Sequence, residues 1–295
     1  MCGIFGWIKP SARFETNLNL SQIFCDGLIN SQVRGEDATG FYSLGTGIIK
    51  KTIKAVDFVK EGNVPNIQNE RFVFGHCRKA SKKYLDDEKS LKDPKNAQPM
   101  ESKNWVLIHN GTIDTPCLKN YSYKSETDSE VILSYAELSF KNAMTSIDGS
   151  ATVVMYDKKN QKIYFWTNGQ RPLTVAYYKG IIFFSSTKKI LHQTLKYKKD
   201  FGVFPEASFA TIYEMEPLVF DLKRNRFSRQ TLIEKIIIKK KTNNTQYQAF
   251  LPITSSTLQR GCGSSCPPPL KAGDVVGYCP GNGNNGKIIK IGEKL

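Results

Sequence analysis

The chain opens Met-Cys-Gly-Ile-Phe-Gly-Trp-Ile, with a cysteine directly behind the first methionine. Removing Met1 would leave Cys2 with a thiol and a free α-amine on one carbon. A thiol attacks as its thiolate, and free cysteine titrates near 8.5, so a nucleophilic cysteine needs a base at hand. An α-amine, ordinarily titrating at about 7.7–8.0, can be that base without help from a histidine. Two other readings stand beside this one. Cys2 could be a small buried residue of a strand, or a cysteine–histidine pair could use His76 or His109. His76 directly precedes Cys77, and strand alternation sends neighbouring side chains to opposite faces. Structural roles are therefore expected for both histidines.

Further segments rich in glycine and polar side chains follow in order. They are VRGEDATGF (33–41), FGHCRKAS (74–81), LIHNGTI (107–113), KSETDSEVI (124–132), GQRPL (169–173) and FFSST (183–187). Together with the Cys-Gly-Ile-Phe-Gly start they resemble the class II glutamine amidotransferases, over about residues 1–235. That resemblance implies an N-terminal nucleophile hydrolase. Its fold would be an α+β, four-layer αββα sandwich of two antiparallel sheets, needing no cofactor and no metal.

It also implies roles, residue by residue. Cys2 would attack the side-chain amide of L-glutamine, with its own α-amine as base, and form a thioester. Asn110 and Gly111 would hold the oxyanion, one from its side-chain NH₂ and the other from its backbone N–H. Arg78 would grip the substrate α-carboxylate through two parallel donors, Ser81 would add a hydroxyl there, and Asp128 would hold the α-ammonium. Arg34, Gly35 and Asp37 match a loop that packs beside the nucleophile. Each has a plainer reading: a surface cation for Arg78, a helix cap for Asp128, an ordinary turn for His-Asn-Gly. Lys79 and Cys77 stand where such proteins often carry an aromatic residue and a threonine.

The elements that must position these residues are legible in outline. CGIFGWI reads as a buried strand. Residues 18–33 place Leu18, Ile23, Leu28, Ile29 and Val33 at helical spacing. RGEDATG reads as a loop, and FYSLGTGIIKKTI as a hairpin turning at Gly45 and Gly47. RFVFGHC and NWVLIHNG read as strands ending in chemistry-capable residues, with a charged surface loop over 81–100 between them. SETDSEVILSYAELSFKNA reads as one capped helix. Two further hairpins follow, one turning at Asp157 to Asn160 and the next at Lys179-Gly180. Strands joined by hairpins give antiparallel sheets.

The sequence carries 42 basic and 27 acidic residues, a net charge of +15. From Lys188 onward 18 basic residues face 8 acidic ones, so ten of those fifteen charges lie in the last third. A surface of that sign attracts anionic partners, a protein or a nucleic acid. No run of 18 apolar residues would span a membrane, and Lys9, Pro10 and Arg13 interrupt the N-terminus too early for a signal peptide. A reducing cytoplasm with free thiols is therefore the expected setting. The domain reading is 1–241 glutaminase, 242–273 Ser/Thr/Gly/Pro-rich linker and 274–295 small β-hairpin extension. Cys262, Cys266 and Cys279 offer one close pair and no nearby histidine, fewer ligands than structural zinc takes. No acceptor domain fits in the last 60 or so residues, which points to a separate ammonia-accepting synthase subunit. A basic binding protein on an inactive scaffold, or a hydrolase of another amide, remain the alternatives.

Overall fold

Short apolar strands punctuated by glycine and polar turns set the element order. The structure is a computed structural model that describes residues 1–11, 13–80, 87–195, 209–212, 217–229, 275–278 and 288–291. Strand β1 (Gly3–Ile8) leads into helix α1 (Leu20–Ser31), which Asn19 caps by accepting the Gln22 amide and which tightens into a 3-10 turn at Gln32–Arg34. The hairpin β2 (Ala38–Ser43) and β3 (Gly47–Lys51) follows, then α2 (Ala55–Lys60) and β4 (Phe72–Arg78). Next come α3 (Glu88–Lys92), β5 (Met100–Glu101) and the long strand β6 (Trp105–Ile113). Helices α4 (Asp128–Leu138) and α5 (Phe140–Ser146) precede β7 (Gly149–Asp157), β8 (Lys162–Thr167), β9 (Leu173–Tyr178), β10 (Ile181–Ser185) and α6 (Lys188–Thr194). Strands β11 (Phe209–Ile212), β12 (Leu218–Asp221) and β13 (Arg226–Arg229) complete the two main sheets, and β14 (Val275–Tyr278) pairs with β15 (Ile288–Ile291).

One sheet has the order β11-β9-β10-β1-β4-β2-β3 and the other β13-β12-β8-β7-β6-β5, with antiparallel neighbours throughout. Side-chain alternation sorts each strand between two cores. From β1, Ile4 and Ile8 join a core with Phe72, Phe74, Val106, Ile108, Val154 and Phe165 between the sheets. Phe5 and Trp7 face the other way, into a core with Leu20, Phe24, Leu28, Phe58 and Ile190 of the helices. On the far side, Leu107, Val153 and Met155 pack on Val131, Ile132 and Phe140 of α4 and α5. Helix, sheet, sheet, helix is the resulting order: an α+β four-layer sandwich. No helix among the described residues is long and apolar enough to cross a membrane.

Several local expectations change. The buried face of α1 is Leu20, Phe24 and Leu28, an i, i+4, i+8 row. Ile29 and Val33 are exposed instead, Val33 by 82%. Ala38, Thr39 and Gly40 belong to β2, not to a loop. The helix over 125–143 divides at Ser139, whose extended backbone ends α4 while its hydroxyl takes the Asn142 amide at 3.0 Å and starts α5. The stretch 87–100 is more than a surface loop: it carries α3, a 3-10 turn at Pro94–Asn96 and strand β5, and it buries Asn96 and Gln98. Helices α2 and α6 were not expected from the sequence, and α5 only as the tail of the helix over 125–143. The linker over 242–273, with Cys262 and Cys266, lies outside the described residues, as does Cys279.

Candidate active site

The same alternation that builds the central core carries three polar side chains to one end of it. Cys2 continues the Ile4 face of β1, Arg78 the Phe72, Phe74 and His76 face of β4, and Asn110 the Val106 and Ile108 face of β6. All three line a pocket of about 780 Å³, together with Gly111, Asp128, Gln98, His109 and Arg171. Cys2, Arg78, Asn110, Gly111 and Asp128 are thus brought together from four elements. Ser81 lies outside the described residues.

Cys2 is 8% exposed, and burial pushes its thiol above the ordinary cysteine value. The Lys79 backbone N–H donates to Sγ at 3.4 Å and works in the opposite direction. The Cys2 backbone N–H donates to Asn110 Oδ1 at 2.9 Å. That bond fixes the asparagine, because a donor requires its oxygen. The Asn110 Nδ2 amide is then left fully buried with no hydrogen-bond partner. An unpaired buried donor costs about 1–3 kcal/mol, so this one stands ready for an acceptor that enters the pocket.

The edge of β6 supplies a second donor. On the side not occupied by β7, the His109 N–H goes to Gln98 Oε1 at 2.5 Å and the Ile113 N–H to Asp128 Oδ2 at 2.9 Å. Backbone N–H groups of residues i and i+2 point the same way in a strand, so Gly111 presents its N–H between those two. A side chain at 111 is sterically barred: a Cβ there would sit 1.9 Å from the Ser150 carbonyl oxygen. Asp128 is the first residue of α4 rather than its cap, which is Thr127. Glu130, on the first turn, reaches back to the Lys124 and Ser125 amides.

The loop before β2 braces Cys2. Arg34 Nε donates to the Cys2 carbonyl at 2.8 Å. Asp37 receives the Ala80 amide at 2.7 Å, and its own N–H goes to the Arg78 carbonyl at 3.0 Å. Gly35 lies so close to this chain that a Cβ would meet the Arg78 carbonyl carbon at 2.4 Å. Ser186, in FFSST, accepts the Ile4 amide through Oγ at 2.8 Å and donates its own amide to the Ile4 carbonyl.

Both histidine rings are engaged by groups other than the Cys2 thiol. His76 Nε2 donates to the His109 carbonyl at 3.0 Å, while Cys77 faces the helix layer against the Leu28 carbonyl. The His109 ring turns to Ser129 Oγ at 3.0 Å on α4. Sequence reasoning missed Gln98 and Arg171. The Arg171 carbonyl is held by the Thr152 and Thr167 hydroxyls at 2.6 and 2.8 Å. Its GQRPL segment was visible as a motif, but its approach to the pocket depends on the β7–β8 pairing.

A profile described as a glutamine amidotransferase domain matches residues 87–193. The chain is 28% identical over 196 residues to a glutamine–fructose-6-phosphate aminotransferase (isomerizing) of Listeria monocytogenes, covering 60% of this chain and 30% of that one. It is 27% identical over 258 residues to the enzyme of that name from Buchnera aphidicola, covering 80% and 40%. The chain therefore spans about a third of the length of these curated relatives. Among solved structures, glutamine phosphoribosylpyrophosphate amidotransferase from B. subtilis superposes with a TM-score of 0.57 at 15% identity, over 79% of this chain and 50% of that one. A second, titled the allosteric regulatory enzyme of purine biosynthesis, gives 0.59 at 16% over the same shares. With its two antiparallel sheets between helix layers and its profile match over residues 87–193, the chain is similar to the glutamine amidotransferases of class II, the N-terminal nucleophile type.

Proposed function

We propose that this protein hydrolyses the side-chain amide of L-glutamine through a Cys2 thioester and passes the ammonia to a separate synthase subunit. One observation carries the reading: at the pocket that holds the thiol, the Cys2 main-chain N–H donates to Asn110 Oδ1, which leaves Asn110 Nδ2 buried and unpaired. With Met1 removed, the nitrogen becomes an α-amine. One of its hydrogens still goes to Asn110 Oδ1, and its lone pair is free to take the thiol proton. Burial holds the thiol neutral in the resting state, so the proton moves as the attack proceeds.

Sγ then adds to the amide carbon. The oxyanion forms where Asn110 Nδ2 and the Gly111 N–H meet it, two donors already oriented before reaction. Collapse returns the proton from the α-ammonium to the leaving nitrogen and expels ammonia. Water attacks the thioester by the same route and releases glutamate. Arg78 and Asp128, both lining the pocket, answer to the substrate α-carboxylate and α-ammonium. Ser81 would add its hydroxyl beside Arg78. Arg34, Gly35 and Asp37 act by holding the Cys2 carbonyl and the Arg78–Ala80 backbone.

The relatives are named for transferring the glutamine nitrogen, which supports an acceptor for the ammonia here. Ammonia in water at neutral pH is mostly ammonium, a poor nucleophile, so sheltered delivery is chemically favoured. The basic last third is the segment we assign to that partner, or to a nucleic acid it works on. Removing residues 242–295 tests the assignment by co-purification of the acceptor enzyme, and unchanged co-purification removes it.

The central experiment is a glutaminase assay on chain whose mass shows that it starts at Cys2. Glutamate and ammonia in equal amounts from the parent, and neither from Cys2→Ala, are expected. A processed parent that releases no glutamate overturns the reading.

A further inference from the structure

We infer that Gln98 is a positioning residue for the oxyanion donors, acting on the His109 backbone directly and on the His109 ring through Ser129. This rests on the glutaminase reading above and assigns a task to a side chain that the reaction does not touch.

Gln98, Ser129 and His109 are 5%, 2% and 1% exposed, and they come from three separate segments. Strand β5 pairs with β6 only at Leu107 and Val106. Beyond that point no strand among the described residues lies beside this edge of β6, and side chains take over. Gln98 Oε1 closes the His109 N–H at 2.5 Å and Asp128 Oδ2 closes the Ile113 N–H at 2.9 Å. The Gly111 N–H lies between these two clamps. Its direction, and that of the preceding Asn110, is therefore held from both ends of a five-residue span.

The far end of the same amide sets the ring. Because Oε1 accepts, the other amide atom must donate, and Gln98 Nε2 reaches Ser129 Oγ at 2.9 Å. Ser129 Oγ accepts that N–H and lies 3.0 Å from His109 Nδ1, to which we assign its own hydroxyl as donor. The imidazole is then neutral with its hydrogen on Nε2. Burial lowers the His109 pKa in the same sense. Nε2 lies beside Gly111, where a Cβ would be 2.7 Å from it. A charged or flipped ring would disturb the neighbouring donor, and the relay from Gln98 opposes both.

Two measurements test this, one of them independent of turnover. Ring ¹⁵N spectra of the intact protein are expected to report His109 as the neutral Nε2–H tautomer from pH 6 to 8, with Ser129→Ala converting it to a mixture. A ring carrying its proton on Nδ1, or a Ser129→Ala ring unchanged, overturns the inference whether or not glutamine is the substrate. Kinetics are normalised to sites titrated with 6-diazo-5-oxo-L-norleucine, so that loss of folded enzyme drops out. Gln98→Met is expected to lower kcat per titrated site by about 10-fold or more with KM within about 2-fold, the mark of an interaction felt in the transition state. Gln98→Glu keeps the acceptor for the His109 N–H and is expected to recover part of the loss. A kcat per site within 2-fold of the parent in Gln98→Met overturns the inference. A parent with no glutaminase activity instead overturns the glutaminase reading.

Discussion

At Asn110 one side chain has two ends with different tasks. Its oxygen is committed to the Cys2 nitrogen, and its NH₂ is buried without a partner. Asn110→Asp separates the two. Both aspartate oxygens accept, so the tie to Cys2 survives while the donor becomes a negative charge facing the developing oxyanion. The expected result is a kcat lowered by about 10²–10³-fold, as for other lost oxyanion donors, with KM little changed in steady-state glutaminase kinetics. Arg78 makes the complementary case. Replacing it with lysine keeps a charge but not the planar fork that matches a carboxylate. KM for glutamine should therefore rise about 10-fold or more, with a smaller effect on kcat.

Among the elements, β6 decides most. Its inner face carries Val106 and Ile108 to the central core and Asn110 to the pocket, and its outer face carries Trp105 and Leu107 to the α4 and α5 layer. Its free edge offers the aligned N–H groups of residues 109, 111 and 113. A Cβ at 111 would lie 1.9 Å from the Ser150 carbonyl oxygen of β7, so Gly111→Ala drives a methyl into it. Moving two central strands apart is expected to cost about 1–3 kcal/mol, read as a lower urea midpoint, together with loss of glutaminase activity. Full stability and activity in that variant would show that β7 can yield there without disturbing the donor.

For the whole molecule, the two sheets meet through an apolar core crossed by one buried imidazole. His76 donates from Nε2 to the His109 carbonyl on the opposite sheet, and its Nδ1 has no partner. Protonation would bury a second N–H with nothing to accept it. Desolvation accordingly pushes His76 down to about 3, while an unfolded histidine titrates near 6.5. Between those values the unfolded chain takes up a proton that the folded one refuses. The contribution to stability is complete above about pH 6.5 and shrinks as the pH falls toward 3, by up to ~1.4 kcal/mol per pH unit. Urea unfolding between pH 7.5 and 5 should show this slope, and His76→Gln should flatten it by up to one proton. An unchanged slope would mean that other groups carry the acid dependence.

Local physics alone determined the N-terminal cysteine with its potential amine base, the hairpins turning at Gly47 and at Lys179-Gly180 (both at positive φ), and the alternation that separates His76 from Cys77. Those features depend on one residue or on close neighbours, and the order of the site motifs was readable for the same reason. Tertiary structure decided the rest. Cys2 and Asn110 are 108 positions apart and meet only because β1 and β6 face each other across the central core. Gln98 stood in a charged, irregular stretch that pointed to a surface loop, and it is buried because β5 stops short and leaves the edge of β6 to be closed by a side chain. Val33 carried helical spacing but lies past the end of α1, where the chain tightens and turns it to solvent. Spacing along a chain specifies which face a side chain takes. Only the pairing of distant strands specifies what that face meets.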